Sequence, residues 1–232
     1  MIRTRRTVKT PSGSPGISLR LGLPCLCLLG IGLVAGGCSS VSPQQEDRYL
    51  LEVVRPGEPL PTIVNGSLEV QRFSVNAAFT ARNFVYRLDQ FKYETDYYRQ
   101  FLIAPSAMIT EQTRNWLARS GLFTEVLPTG SRVVPDYTLE GNVTSLYGDF
   151  SNESSPAAVI EVRLFLLNNV RGNENVVFTQ IYRAAVPMQD RTAQAFVAAL
   201  NQGFADILGR LEADLQKALK NSAEGVAPVP VP

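Results

Sequence analysis

Three segments in the second half of the chain alternate apolar and polar residues, and they constrain the fold more than any other feature. They extend from Tyr137 to Tyr147, from Ile160 to Leu166 and from Val176 to Val186. Alternation places apolar side chains on one face of an extended strand and polar side chains on the other. The last two segments flank a polar stretch containing Gly172, which predicts a long hairpin. We therefore expect strands lying side by side in one antiparallel sheet with one wet face.

The clearest helix prediction is at the C-terminal end of the chain. Asp190 or Thr192 can cap it, and its apolar residues recur at helical spacing along a single stripe. These apolar residues are Phe196, Val197, Leu200, Phe204, Ile207, Leu208, Leu211, Leu215 and Leu219. Charged residues cover the other side, so the apolar stripe is expected to lie on the sheet. Residues 222–232 are rich in proline and are predicted to form a disordered tail.

A second helix is predicted to begin at Pro105, because the missing N–H of proline is not needed in a first helical turn. Ser106 can serve as its cap, and Gly121 is expected to end it in the left-handed conformation. The predicted buried side consists of Met108, Ile109, Thr113, Trp116 and Leu117. We expect the single tryptophan to be a core anchor rather than a ligand-stacking residue.

Shorter strands are predicted in the first half of the chain. They are Tyr49 to Val53, a segment around Leu68 and Val70, a hairpin of 84–88 with 91–94, and Phe123 to Leu127. Strands, a helix, more strands and a final helix predict an α+β fold, with a mostly antiparallel sheet and both helices packed on one face. We assign residues 49–221 to a single domain of this kind.

The N-terminal segment is typical of a secretory signal peptide. An apolar run from Leu21 to Val34 follows a stretch with five basic residues and no acidic residue. A membrane-spanning helix requires about 20 apolar residues, and this run is shorter and contains Pro24. The pair Arg5-Arg6 alternatively suggests a twin-arginine export signal. In either case residues 1–37 are predicted to be removed.

The segment ends in Leu33-Val34-Ala35-Gly36-Gly37-Cys38, which resembles the lipobox of bacterial lipoproteins. The resemblance implies that the sulfur of Cys38 carries diacylglycerol and that the new amino terminus is acylated. Several acyl chains hold a protein stably at a membrane, whereas one chain does so only marginally. Residues 38–48 are polar and are predicted to be the lipidated tether. Ser39, rather than an aspartate, implies an anchor in the outer membrane, facing the periplasm.

Composition excludes several classes of function. Removing residues 1–37 removes five of the 22 basic residues and none of the 21 acidic ones, so the mature chain has a net charge of about −4. A nucleic-acid partner is therefore not expected. The chain has no histidine, and its only other cysteines, Cys25 and Cys27, leave with the signal peptide. Catalysis by histidine or cysteine and metal sites built from them are thus excluded, and no cofactor or metal is predicted.

A cluster of aromatic residues between the first hairpin and the first helix is the best candidate for a binding surface. Phe91, Tyr93, Tyr97, Tyr98 and Phe101 are interleaved with charged residues. Large rings with polar tips beside charges are typical of the centre of an interface. We predict a partner interface formed by Tyr93, Tyr97, Tyr98, Arg99 and Phe101. The alternative is that about half of these aromatic side chains line the core.

Two pairs of carboxylates could be proposed as catalytic groups of an envelope hydrolase. They are Glu94 with Asp96, and Asp136 with Glu140. Nothing in the sequence places either pair in a cleft, and the turn at 128–132 lacks the lysine and the length of a phosphate-binding loop. We therefore predict that the protein is not an enzyme.

Several short segments resemble the auxiliary lipoprotein component of MCE-type ABC transport systems, which move phospholipid between the membranes of Gram-negative bacteria. They are Tyr86-Arg87, Tyr97-Tyr98-Arg99-Gln100-Phe101, Pro105, Trp116-Leu117 and Gly121-Leu122-Phe123. The resemblance implies a non-catalytic lipoprotein with a fold similar to the amino-terminal domain of TolB. It also implies an MCE-domain protein as partner and permits a homo-oligomer. The alternative is a lipoprotein activator or assembly factor of a cell-wall or envelope complex, which the short tether disfavours.

Overall fold

The computed structural model describes residues 45–169 and 175–223. Nine strands, two α-helices and one turn of 3-10 helix, Ala77–Phe79, lie in these ranges. The strands are β1 Asp47–Tyr49, β2 Val64–Val70, β3 Ser74–Val75, β4 Asn83–Arg87, β5 Tyr93–Phe101, β6 Phe123–Val126, β7 Tyr137–Asp149, β8 Ala157–Asn168 and β9 Asn175–Pro187. The helices are α1 Pro105–Ser120 and α2 Ala193–Ala223.

The strands form one mixed sheet with β7 at its centre. β8 pairs along one edge of β7, whereas β2, β3 and β4 pair in succession along the other edge. β9 extends the sheet beyond β8, β6 beyond β2, and β5 and β1 beyond β4. The antiparallel pairings β4–β5, β7–β8 and β8–β9 contain most of the paired residues. The predicted α+β fold with a mostly antiparallel sheet is confirmed, and the parallel pairings of short strands are additional.

One face of the sheet is packed against both helices. α2 lies on β8 and β9, α1 lies beside β2, β3 and β6, and the two helices contact each other. On β8 the alternate side chains that face the helices are almost fully buried. These are Ala158, Ile160, Val162, Leu164 and Leu166. At Gly141 of β7 a Cβ atom would lie 2.6 Å from ring atoms of Phe73, so a glycine is needed for this close approach.

Helix α1 begins at Pro105 as predicted, but the prediction that Ser106 caps it was wrong. Ala104 occupies the cap position and no side chain caps the helix. Ser106 already lies in the first turn, where its carbonyl accepts a hydrogen bond from the hydroxyl of Thr110 at 2.6 Å. Gly121 ends the helix with φ of +80°, the left-handed conformation that the sequence predicted.

The start of helix α2 uses both predicted capping residues. The hydroxyl of Thr192 accepts a hydrogen bond from the Ala195 N–H at 3.2 Å, and the carboxylate of Asp190 accepts one from the Thr192 N–H at 2.8 Å. Thr192 is therefore the cap, and Asp190 fixes its position. The predicted apolar stripe is buried from Phe196 to Leu219, which confirms that this face of the helix lies on the sheet.

The first predicted strand is the main difference between sequence and structure. β1 covers only Asp47–Tyr49, and the following residues leave the sheet and cross the helices. The backbone N–H groups of residues 51, 52 and 53 donate to side chains of Met108, Asn201 and Gln112, respectively. Helix side chains thus replace the strand partners that alternation alone implied. We call residues 50–58 the N-terminal strap.

Several predictions concern residues outside the described ranges. They are the signal peptide 1–37, the lipidation of Cys38, most of the tether 38–48 and most of the tail 222–232. Within the described ranges, no helix is both long enough and apolar enough to cross a membrane.

Candidate partner-binding surface

The predicted aromatic surface is built on strand β5, next to the edge of the sheet formed by β1. β5 pairs with β4, but the register shifts between them: Val85 lies opposite Thr95, and Asn83 lies opposite Gln100. Between these two pairs, β4 has the single residue Phe84, whereas β5 has the four residues 96–99. Three residues of β5 are therefore extra and form a bulge. We call residues 96–99 the tyrosine bulge.

Asp96 shapes the tyrosine bulge through its own hydrogen bonds. Its carboxylate accepts from the backbone N–H groups of Tyr98 at 2.9 Å and Arg99 at 3.0 Å. Its carbonyl accepts from the side-chain amide of Asn83 at 2.9 Å, which fastens the bulge to β4. Short local bonds of this kind are how aspartate stabilises turns. Two tyrosines are consequently held away from the core by backbone geometry.

The structure places four of the five predicted interface residues at the surface. Tyr97 is 78% exposed, Tyr98 is 46% exposed and Tyr93 is 47% exposed. The guanidinium of Arg99 forms an exposed ion pair with Asp96 at 3.3 Å. Tyr93, Tyr97, Tyr98 and Arg99 therefore form one candidate surface along β5, which we call the aromatic edge.

Phe101 does not belong to this surface, so the predicted interface is corrected at this residue. Its side chain is 2% exposed, and its ring lies 4.7 Å from the ring of Phe84 in an edge-on contact. The bulge explains the difference, because it ends before Gln100 and returns the strand to regular alternation. Phe101 thus points into the core beneath the helices.

Aliphatic side chains extend the exposed apolar surface beyond the residues that the sequence indicated. Leu50, Leu102 and Ile103 are 36–46% exposed. Leu102 lies beside β1, since its N–H donates to the carbonyl of Tyr49 at 2.7 Å. The sequence signal for Leu102 and Ile103 was that this apolar pair before Pro105 fits neither the strand pattern nor the helix pattern. Ion pairs such as Arg48 with Glu46 at 3.4 Å provide a polar border.

Tyr93 connects the aromatic edge to the face of the sheet opposite the helices. Its ring lies 5.7 Å from the ring of Tyr147 at an angle of 85°, and the guanidinium of Arg87 lies 5.4 Å from the centre of the Tyr147 ring. Arg87 also forms an ion pair with Asp149. This hydrogen-bonded contact raises the pKa of Arg87, so its charge is fixed at any physiological pH. Tyr93 is therefore held by a packed polar and aromatic cluster.

The two carboxylate pairs considered as catalysts have structural contacts instead. Asp96 shapes the tyrosine bulge, and Asp136 accepts hydrogen bonds from the N–H and the hydroxyl of Ser67 at 2.8 and 2.9 Å. These bonds lower the pKa of Asp136, which favours a permanently charged acceptor over an acid that gives up its proton near neutral pH. Glu94 and Glu140 are exposed on their strands.

Comparisons with known proteins agree with this architecture. The model of the family described as ABC-type transport auxiliary lipoprotein component matches residues 49–211. A protein from Xanthomonas campestris assigned to the DUF330 family has a TM-score of 0.66 and 20% identity, covering 77% of this chain and 99% of that one. An uncharacterized protein has a TM-score of 0.57 and 15% identity, covering 74% of this chain and 99% of its own. A comparison with curated proteins finds no match. At these identities the solved structures show a shared fold.

Proposed function

Because the chain belongs to the ABC-type transport auxiliary lipoprotein component family, we propose that it is a non-catalytic accessory subunit of an MCE-type ABC system for phospholipid transport between membranes. In this proposal Cys38 carries the acyl chains, the domain faces the periplasm from the outer membrane, and the aromatic edge docks an MCE-domain protein. The family match over residues 49–211 is the observation that carries the proposal.

The aromatic edge has the properties of a docking site. Its tyrosines are exposed, yet the tyrosine bulge is held by hydrogen bonds from backbone and side-chain groups, so little conformational entropy is lost when a partner binds. Tyrosine and arginine are enriched among the residues that contribute most to binding. Exposed aliphatic residues on one side and ion pairs around them match the usual apolar centre and polar border.

A non-catalytic role is supported by how the acidic side chains are used. Asp96 and Asp136 satisfy backbone N–H groups, and both keep local structure in place. The absence of histidine and of any cysteine beyond Cys38 in the mature chain removes the commonest nucleophile and base pairs. A binding surface is thus the better-supported use of this domain.

The proposal is tested by crosslinking in living cells. A photoreactive residue replaces Tyr97 or Tyr98, and captured proteins are identified by mass spectrometry. The matched control carries the same residue in place of Val134, which is 84% exposed but lies in the loop before β7 and outside the aromatic edge.

Capture of an MCE-domain protein from the bulge positions, and not from Val134, is the expected result. Capture of a peptidoglycan synthase would replace the proposal by the activator function. Absence of any specific capture at both tyrosines would remove the aromatic edge as the docking site.

A further inference from the structure

The hairpin between β4 and β5 projects from the end of the sheet where the tether joins the domain. β1 is parallel to β5, and β5 begins immediately after the hairpin turn. The chain that precedes Asp47 therefore enters from the side of this turn. We call residues 88–92 the hairpin tip.

An exposed phenylalanine lies in the hairpin tip. Phe91 is 86% exposed, and Lys92 beside it is also exposed. The turn is closed by hydrogen bonds from the N–H groups of Leu88 and Asp89 to the carbonyl of Lys92 at 2.8 and 3.3 Å. A closed turn presents the ring in water at a fixed place, although a phenylalanine has no polar group that water can satisfy.

Strand geometry gives the distance from the tether to the hairpin tip. Asn83 and Arg87 of β4 lie opposite Gln100 and Tyr93 of β5, and Arg48 of β1 lies opposite Gln100. From this level to the end of β4 the sheet extends about 13 Å, and half the turn adds about 7 Å. The tip thus projects about 20 Å beyond Arg48 towards the anchored side.

The tether has a matching length. Arg48 comes ten positions after Cys38, and a fully extended chain of ten residue steps reaches at most about 33 to 36 Å. An anchor at Cys38 therefore passes the hairpin tip by no more than about 16 Å. The tether is therefore long enough for the hairpin tip and the anchor to reach the same membrane surface.

We propose that the hairpin tip is a second membrane contact, with Phe91 inserted among the acyl chains of the leaflet that holds the Cys38 anchor and Lys92 at the level of the headgroups. This inference rests on the lipid anchor of the proposed function. An inserted ring and the acyl anchor hold the domain at two points, so the aromatic edge is presented to a partner at a constant height above the membrane. The ring supplies the apolar contact, and the lysine stem extends along it towards the phosphate groups.

The test uses the mature lipidated protein, purified from membranes and reconstituted into phospholipid vesicles. In that form Cys38 is alkylated and the signal-peptide cysteines are gone, so Phe91→Cys introduces the only thiol. This thiol is labelled with an environment-sensitive fluorophore. Val134→Cys is the matched control, because Val134 is 84% exposed but precedes the other end of the long strand β7.

Emission from the Phe91→Cys probe is expected to shift to shorter wavelength in vesicles and to be quenched by lipids with nitroxide on the acyl chains. The Val134→Cys probe is expected to emit as it does in water. An unshifted, unquenched probe at position 91 would overturn the inference, and so would equal quenching at both positions, which means non-specific adsorption. Because vesicles contain no protein partner, the result is independent of the crosslinking test at Tyr97 and Tyr98.

Discussion

Replacing Glu212 by glutamine is expected to destabilise the domain strongly, because this carboxylate holds the N-terminal strap to both helices. The guanidinium of Arg55 donates two hydrogen bonds of 2.8 Å to the two carboxylate oxygens of Glu212. The indole N–H of Trp116 donates a third, also at 2.8 Å. The prediction that Trp116 is a core anchor is confirmed, and its polar tip extends this role to α2.

The magnitude follows from burial. The side chains of Arg55 and Glu212 are only 6% and 12% exposed. Removing one partner of a buried pair costs about 3–5 kcal/mol, because the other charge is left without compensation. For a domain of this size such a loss lowers the melting temperature by about 6–20 °C. The contacts of Arg55 with the carbonyls of Gly57 and Glu58 remain, but they do not neutralise its charge.

Equilibrium unfolding in urea, followed by circular dichroism, measures this loss. Lys217→Gln is the matched control on the same helix, because its ion pair with Asp214 is 3.7 Å long and the lysine is 78% exposed. The control is expected to cost less than about 1 kcal/mol. If Glu212→Gln costs no more than Lys217→Gln, the argument from buried charge is refuted.

Other substitutions test the packing, the aromatic edge and the acid side of stability. Gly141→Ala should cost about 1–3 kcal/mol by overpacking. Gly209→Ala should instead add up to about 1 kcal/mol of helix stability, because beyond the helix's own backbone no atom lies within 4 Å of the new Cβ. Thermal unfolding compares the two variants. Phe101→Ala should lower the free energy of unfolding by about 3–5 kcal/mol. Tyr97→Ser should change the free energy of unfolding by less than about 0.5 kcal/mol, and it should still abolish capture of the partner by a photoreactive residue at position 98. The pKa of Asp136 is lowered in the folded state, so its stabilisation is present above the unfolded value near 4 and is lost as pH falls through the lower folded value. Asp136→Ala should therefore flatten the loss of stability below about pH 4 in urea titrations.

Periodicity predicted the long elements of this fold because their local signals agree with their packing. β7, β8 and α2 bury one face each, and alternation or helical spacing is the direct consequence. The strand predicted at Tyr49 to Val53 failed for the opposite reason. Leu51 is 0% exposed, but it is buried by helices that are distant in sequence, and its neighbour Leu50 is 36% exposed. Alternation records burial and does not record which element provides it.

The candidate surface was predicted as a composition and corrected by geometry. A run of aromatic residues indicated an interface, but the sequence could not separate Tyr97 and Tyr98 from Phe101. That separation depends on three extra residues in β5 and on the hydrogen bonds of Asp96. A bulge shifts side chains between the faces of a strand, and its position depends on the register with β4.

The sequence by itself determined the fold class, the principal helices and strands, the exclusion of histidine chemistry and the prediction of a lipid anchor at Cys38. These properties depend on composition or on residues close together in the chain. Only the tertiary structure decided which aromatic side chains are exposed, how Glu212 joins Arg55 to Trp116, and that the hairpin tip with Phe91 lies on the side where the tether joins. Each of these depends on contacts between residues far apart in sequence, because pairing register and helix packing are set by the whole domain.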